Sequence, residues 1–320
     1  MIQLGVAVKI LGQGGMRARD GRRAAGPGEP APHLSVSLLY LREVLLYLAR
    51  LGVRLYRLPD DLAPDVVRAG PAGVLRQVEE CADMLAEVGG LARVQGIRLT
   101  MHLGLHVALA SPDEGVAARA LAEICAQARL LDALGAGPEG VLVLHVGGAH
   151  GDRAAALERF AARLERLPHA PRARLAAEPD EESFSLGDLL KLHQRTGLPI
   201  ILDTLHLQLY NPERMALAEA LGLALATWPP GVRPKVHVST QRTEAHLQPA
   251  RSGAAAQVIP PRHGQHADFV NPFEFAALVV AARGLPSFDA MLEAKAADLA
   301  LLRLREDLAR FFPELAEVVQ

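Results

Sequence analysis

Cysteine is almost absent: Cys81 and Cys125 are the only two in 320 residues. Two thiols far apart in helix-like stretches leave no basis for a disulfide framework or a cysteine-based zinc site. Long apolar runs are missing as well. No stretch approaches the roughly eighteen uninterrupted apolar residues of a membrane span. The first residues lack the basic and apolar regions of a secretory signal, so the expectation is a soluble cytoplasmic chain. Excess charge of one sign is also absent, since the formal net charge is −2. There is thus no global signature of nucleic-acid binding, and any basic surface must be local. Lysine is scarce, with Lys9, Lys191, Lys235 and Lys295 against thirty arginines. No glycine-rich dinucleotide fingerprint follows the first strand-like run, which argues against a Rossmann fold.

What is present is an unbroken alternation. Strand-like runs fall at 2–8, 53–58, 97–102, 140–146, 172–178, 199–203, 234–239 and 287–293. Helical patterns fill roughly 36–51, 73–93, 152–166, 185–196, 212–225, 271–283 and 295–311. A further helix follows Ser111, where Ser111, Pro112 and Glu114 match a capping box and apolar residues recur until Gly135. Eight strand-then-helix units predict an α/β chain folded as a (β/α)8 TIM barrel, with residues 1–320 as a single domain. Two long connections lack periodicity, 11–35 and 242–265. Both leave C-terminal ends of strands, so both overhang the face on which barrels do chemistry.

Strands three to eight each end in a metal-ligand type: His102, His145, Glu178, Asp203, His237 and Glu293. One strand-end histidine is ordinarily a rim or core residue. Six in register become a ring when the barrel closes. Gathered carboxylates repel and hold each other protonated unless a cation intervenes. A mixed nitrogen and oxygen set suits manganese, zinc or iron better than calcium or magnesium. His206 and His266 add imidazoles from adjacent loops, enough for two or three ions. Lys235 has the parity of His237, so both side chains face the same side of their strand.

The stretches "LHVGGAHGD" (144–152), "LAAEPDEESFS" (175–185), "LPIILDTLH" (198–206), "KVHVSTQ" (235–241), "GQHADFVNP" (264–272) and "EAKAADLALLRL" (293–304) resemble the ordered motifs of the UV damage endonuclease family. The resemblance implies a TIM barrel holding a metal cluster, with manganese the expected metal. It implies an enzyme that nicks damaged double-stranded DNA 5′ to UV photoproducts and other distorting lesions, leaving a 3′-hydroxyl and a 5′-phosphate. Carried over by position, it makes Glu178 a bridge between two ions. His102 and His145 complete one, and Asp203, His237 and Glu293 the other. His206 and His266 are assigned to a third. It associates Lys235 with carboxylation and makes Glu178, Lys235 and His237 the catalytic residues. A monomer acting at the nucleoid, with no obligatory protein partner, is expected.

The lesion-reading positions depart from the family. Where a Pro-Gly-Gln-Tyr run is usual, the chain has "HLGLHV", which puts Leu105 and His106 at the probe positions. A leucine can wedge between bases, and a histidine can stack or donate. Val6 and Ile10 replace a Tyr and an Asn, Pro179 replaces an Asn, and Leu207 stands where a second His often follows. Lys9, Arg17 and Arg242 are the expected DNA contacts, the last two lying in the two long, locally basic loops. Three other readings stay open: an abasic-site endonuclease of the endonuclease IV kind, a sugar isomerase or epimerase, and a lesion-binding protein without incision.

Overall fold

A computed structural model describes residues 1–13, 33–64, 66–248 and 256–320. Seven strands form one parallel sheet: β1 (Ile2–Ala7), β2 (Leu55–Leu58), β3 (Arg98–His102), β4 (Leu142–His145), β5 (Leu175–Glu178), β6 (Lys235–Val238) and, after a hairpin of β7 (His246–Gln248) and β8 (Gln257–Ile259), β9 (Phe288–Leu292). The order is β5-β4-β3-β2-β1-β9-β6. Residues 199–203 join its two edges. Ile201 N donates to Ala177 O at 2.8 Å on one side, and His237 N donates to Leu202 O at 2.8 Å on the other. Isolated parallel bridges Ala177–Ile200 and Asp203–His237 complete the closure. The result is the expected (β/α)8 TIM barrel.

The sixth barrel position is irregular for a physical reason. Pro199 has no N–H to give, the Ile200 amide is diverted to Thr227 Oγ1 at 2.9 Å, and Asp203 leaves the strand to cap a helix. A bonded but broken ladder follows.

The helices are α1 (Leu34–Arg50), α2 (Val66–Glu80), α3 (Ala82–Val94), α4 (Glu114–Ala133), α5 (Arg153–Leu164), α6 (His169–Ala173), α7 (Leu186–Thr196), α8 (Thr204–Leu209), α9 (Leu217–Ala226), α10 (Pro272–Ala281), α11 (Ala297–Phe311) and α12 (Pro313–Ala316). Several boundaries differ from the sequence pattern. The helix expected at 73–93 is two, broken where Cys81 takes φ −108 and ψ 19. The cap of α4 is Asp113, whose carboxylate accepts from Val116 N at 3.0 Å, while Ser111 Oγ accepts from Asp113 N at 3.1 Å. Residues 172 and 173 finish α6, so β5 starts only at Leu175. Asn211 Oδ1 accepts from Met215 N at 3.0 Å and its Nδ2 donates to Met215 O at 2.9 Å, which ties a loop and delays α9 to Leu217. The 242–265 connection contains the antiparallel β7–β8 pair, with Leu247 opposite Val258.

Strands buried on both faces are near-continuously apolar, and β1, β4 and β9 supply Leu4, Val6, Leu142, Val143, Leu144, Ala290 and Leu292 to the interior. Around them α3 and α4 approach closely at Gly89, where a Cβ would lie 1.7 Å from the Leu134 carbonyl oxygen. Backbone cannot yield there as a side-chain tip would. We expect Gly89→Ala to lose about 3 kcal/mol, the upper part of the overpacking range, measured as a shift in the urea midpoint with m unchanged. Because the strands are parallel, β3, β4, β5, β6 and β9 all end on one face, which the Asp203 turn joins.

Candidate metal centre

Glu178 ends β5 at 1% exposure and is the hub of that face. Its two oxygens look in different directions. Oε2 lies 2.8 Å from His102 Nε2 and 3.9 Å from His145 Nε2; Oε1 lies 2.9 Å from His237 Nδ1 and 3.6 Å from His206 Nδ1. Glu293 reaches the same point from the end of β9, its Oε1 3.2 Å from His237 Nδ1. Asp203 completes the group. Its Oδ1 caps α8 by accepting from Leu205 N at 2.6 Å and His206 N at 3.0 Å, and its Oδ2 accepts from Ser239 Oγ at 3.0 Å.

Two sets emerge, His102 with His145 and Glu178, and Glu178 with Asp203, His237 and Glu293; within each, one ligand atom per residue lies within 4.8 Å of all the others. Glu178 belongs to both. The imidazoles are aimed by carbonyls: His102 Nδ1 donates to Leu103 O at 2.9 Å, His145 Nδ1 to Glu178 O at 3.2 Å, and His206 Nδ1 to Pro179 O at 2.9 Å. Such bonds fix the tautomer and leave Nε2 as a lone pair. At 2.8 Å from Glu178 Oε2, His102 Nε2 bonds that carboxylate through a proton, and a divalent ion can take the proton's place. On the far side His237 keeps Nδ1 on two carboxylates while its buried Nε2 has no hydrogen-bond partner among the described residues. That orientation forgoes a bond in order to aim one nitrogen at the carboxylates. The donor set therefore fits a divalent ion of the manganese, iron or zinc kind.

The electrostatics agree. Burial alone would raise the Glu178 carboxyl, but His237, His102 and His145 outweigh it and hold the group well below the usual range. Burial is likewise overcome at Glu293, by Arg57 and His237. His206 is pushed up to about 9, because Asp203, Glu178 and Glu181 outweigh its burial. His145 and His237 are lowered by burial, against the pull of Glu178. Lys235 is fully buried, and burial together with Arg98 and Arg57 holds its amine far below the ordinary lysine value. Its Nζ lies 3.4 Å from Thr100 Oγ1. Beside it, Arg57 Nε and Arg98 Nη2 are buried without acceptors among the described residues.

The centre opens into a cleft of about 1290 Å³. His266 lines it, its Nδ1 3.8 Å from Glu293 Oε2. Leu105 stands at the rim, 80% exposed. His106 beside it is fixed by Glu123, whose two oxygens are each 3.0 Å from Nε2. Lys9 is exposed beyond Val8, a β-branched residue held at φ 57 with its carbonyl accepting from Tyr56 OH at 2.8 Å. Arg242 is a different matter. At 8% exposure it is ion-paired with Asp268 at 3.2 Å and Glu244 at 3.4 Å, so it anchors the 242–265 loop and presents no free guanidinium to a phosphate. Arg17 lies outside the described residues.

Arg57, Glu123 and Glu181 are cleft residues that the sequence pattern alone does not single out. Arg57 is ion-paired with Glu293.

The family described as UV-endonuclease UvdE matches residues 34–319. The chain belongs to this family. The UV DNA damage endonuclease of Bacillus velezensis is 29% identical over 265 residues, covering 82% of this chain and 77% of that protein. The enzyme of the same name from Bacillus pumilus is 31% identical over 224 residues, 70% of this chain and 65% of its own. The crystal structure of SacUVDE superposes with a TM-score of 0.79 at 25% identity, covering 97% of this chain and 99% of that one. A D-psicose 3-epimerase reaches only 0.52 at 14% identity over 97% of this chain and 99% of its own, a likeness of fold. Membership in the UvdE family makes the chain a UV-damage repair nuclease. No helix among the described residues is long and apolar enough to cross a membrane.

Proposed function

We propose that the protein is a metal-dependent endonuclease that hydrolyses the phosphodiester 5′ to UV photoproducts or other distorting lesions in double-stranded DNA, leaving a 3′-hydroxyl and a 5′-phosphate. The observation that carries this reading is Glu178, one buried carboxylate shared by two ligand sets at the mouth of a barrel. When bound, two or three divalent ions, manganese by preference, would supply an activated water and neutralise charge on the phosphate and the departing oxygen.

The chain's own residues do the rest. Glu178 would hold one ion together with His102 and His145, and another together with Asp203, His237 and Glu293. Arg57 holds Glu293 ionised and in place. Ser239 and the first turn of α8 orient Asp203, a short-range support of the kind that fixes ligand geometry. Lys235 sits where the family associates carboxylation. A neutral buried amine suits that modification, and a carboxylate-like group there would offer the acceptors that Arg57 Nε and Arg98 Nη2 lack. At the rim, Leu105 wedges into the base stack and His106, oriented by Glu123, stacks or donates beside it. Lys9 contacts the backbone. The protein works as a monomer in the cytoplasm, at the nucleoid.

Leu105 and His106 in place of a polar probe pair imply a reader that senses loss of stacking more than the hydrogen-bonding pattern of a dimer. End-labelled duplexes carrying a thymine dimer, an abasic site or no lesion test this with Mn²⁺ present. We expect 5′ incision of both damaged duplexes and none of the third. Cutting of the abasic duplex alone would favour an abasic-site enzyme, and binding without cutting a lesion-recognition protein.

A further inference from the structure

We infer that Arg119 grips a backbone phosphate of the duplex, and that the face of α4 carrying it forms a second wall of the DNA site. This rests on the nuclease reading above and supplies the cation that Arg242, spent on Asp268 and Glu244, does not. Val116, Arg119, Ala120 and Glu123 all line the cleft. Steps of three, four and seven residues from Val116 put them on one stripe of the helix. Glu123 holds His106, both carboxylate oxygens 3.0 Å from Nε2, while His102, four residues earlier, touches Glu178 at 2.8 Å. The loop that bears Leu105 therefore runs from the metal centre to α4, a step of at most about 14 Å. A duplex wedged by Leu105 and cut at Glu178 meets this helix within a few base pairs, at roughly 3.4 Å each.

The charges along the cleft single out Arg119. Among the described residues that line it, the other arginine or lysine is Arg57, which is ion-paired with Glu293 beside the metal ligands. Arg119 is exposed, and no carboxylate among the described residues lies within ion-pair distance of it. Asp113 is held low first by the Val116 and Gly115 amides and only last by Arg119. The neighbouring acids are committed: Glu123 to His106, and Asp60 and Asp61, which also line the cleft, are not free. The wall itself is fixed, since buried Gln127 ties α4 to the loop after β2 by donating from Nε2 to Asp60 O at 2.8 Å. An uncommitted guanidinium on such a wall can give two parallel N–H donors to the oxygens of one phosphate. Arg119 there reads no base. It adds affinity for damaged and undamaged duplex alike and leaves the choice of lesion to Leu105 and His106.

The test reads salt dependence. Binding of labelled duplexes, with and without a thymine dimer, is followed by fluorescence anisotropy in chelator between about 50 and 200 mM salt, and incision is timed with Mn²⁺. Arg119→Gln is expected to bind both duplexes about tenfold more weakly at the low-salt end, the loss of one charge-assisted contact. The slope of log K against log salt should fall by about 0.9, with the thermal midpoint unchanged and the loss in incision falling on KM. Arg119→Lys keeps the slope, and Arg129→Gln, altering an exposed residue of the same helix away from the cleft, matches wild type. A single methylphosphonate moved along the strands marks the contact, weakening wild type and not Arg119→Gln at one position. If Arg119→Gln keeps wild-type affinity and slope while wild type binds and cuts the dimer duplex, or if Arg119→Lys or Arg129→Gln lowers the slope as much, Arg119 holds no phosphate and the nuclease reading survives. If wild type neither binds nor cuts damaged duplex, the nuclease reading falls and the role of Arg119 with it.

Discussion

Glu178→Gln is expected to lower the incision rate by about four orders of magnitude, ~5.5 kcal/mol of barrier, while the damaged duplex still binds within a few-fold. The substitution keeps the side chain's volume but removes the charge that both ligand sets share. An amide is neutral and offers one acceptor where the carboxylate offers two, so both sets lose the Glu178 charge and one of them also loses its oxygen whichever way the amide turns. Three imidazoles, His102, His145 and His237, then share a neutral group in place of an anion, and the sets hold a divalent ion less tightly. Binding should persist because Leu105 and Lys9 are exposed, whereas Glu178 is buried. Glu178→Ala should behave alike for turnover and fold less stably, having lost two hydrogen bonds at 1% exposure. Single-turnover rates with bound duplex, read beside fluorescence anisotropy for binding, separate the two effects. Turnover within tenfold of wild type would remove Glu178 from the bridging role.

Lys235→Met is expected to fold as well as wild type or better, yet to lose incision by roughly two to three orders of magnitude, the loss that follows removal of one preorganised electrostatic group. The fold should survive because the amine is an expensive occupant. It is fully buried and bonds only weakly to Thr100 Oγ1, and burial, helped by the charges of Arg98 and Arg57, pushes its proton off. Methionine fills similar volume without a polar atom to desolvate, and replacing a buried polar group this way is often neutral or stabilising. A lysine retained at such a cost serves the centre two residues along the strand. The paired readouts are the thermal midpoint and the incision rate. A variant that unfolds earlier and cuts normally would make Lys235 a structural residue and leave the depressed amine without a chemical purpose.

The barrel was legible because strand and helix periodicities alternate without interruption, and parallel strands put every C-terminal end on one face. The ring of His102, His145, Glu178, Asp203, His237 and Glu293 was legible for the same reason, since each stands at or next to the end of its apolar run. What escaped depends on directions that sequence spacing does not encode. Asp203 was expected as a strand-end ligand, and it is also the N-cap of α8. The β7–β8 hairpin is short and polar at one end, with no alternation long enough to mark it. Arg242 reads as a free cation in a basic loop because one partner, Glu244, is in that loop and the other, Asp268, lies beyond its end. Glu123 and Glu181 reach the cleft from a helix face and a tight turn, positions that carry no strand-end signature.

The central claim is that the strand-end ring holds the ions that cut DNA. Its most direct measurement is incision of a thymine-dimer duplex by chelator-stripped protein, with and without added Mn²⁺, the products resolved to single nucleotides and their ends tested for phosphate. The predicted result is no cutting without metal. Added Mn²⁺ should restore a single nick immediately 5′ to the dimer, with a 3′-hydroxyl and a 5′-phosphate. Undiminished incision by metal-free protein, or a nick elsewhere with a 3′-phosphate, would contradict it.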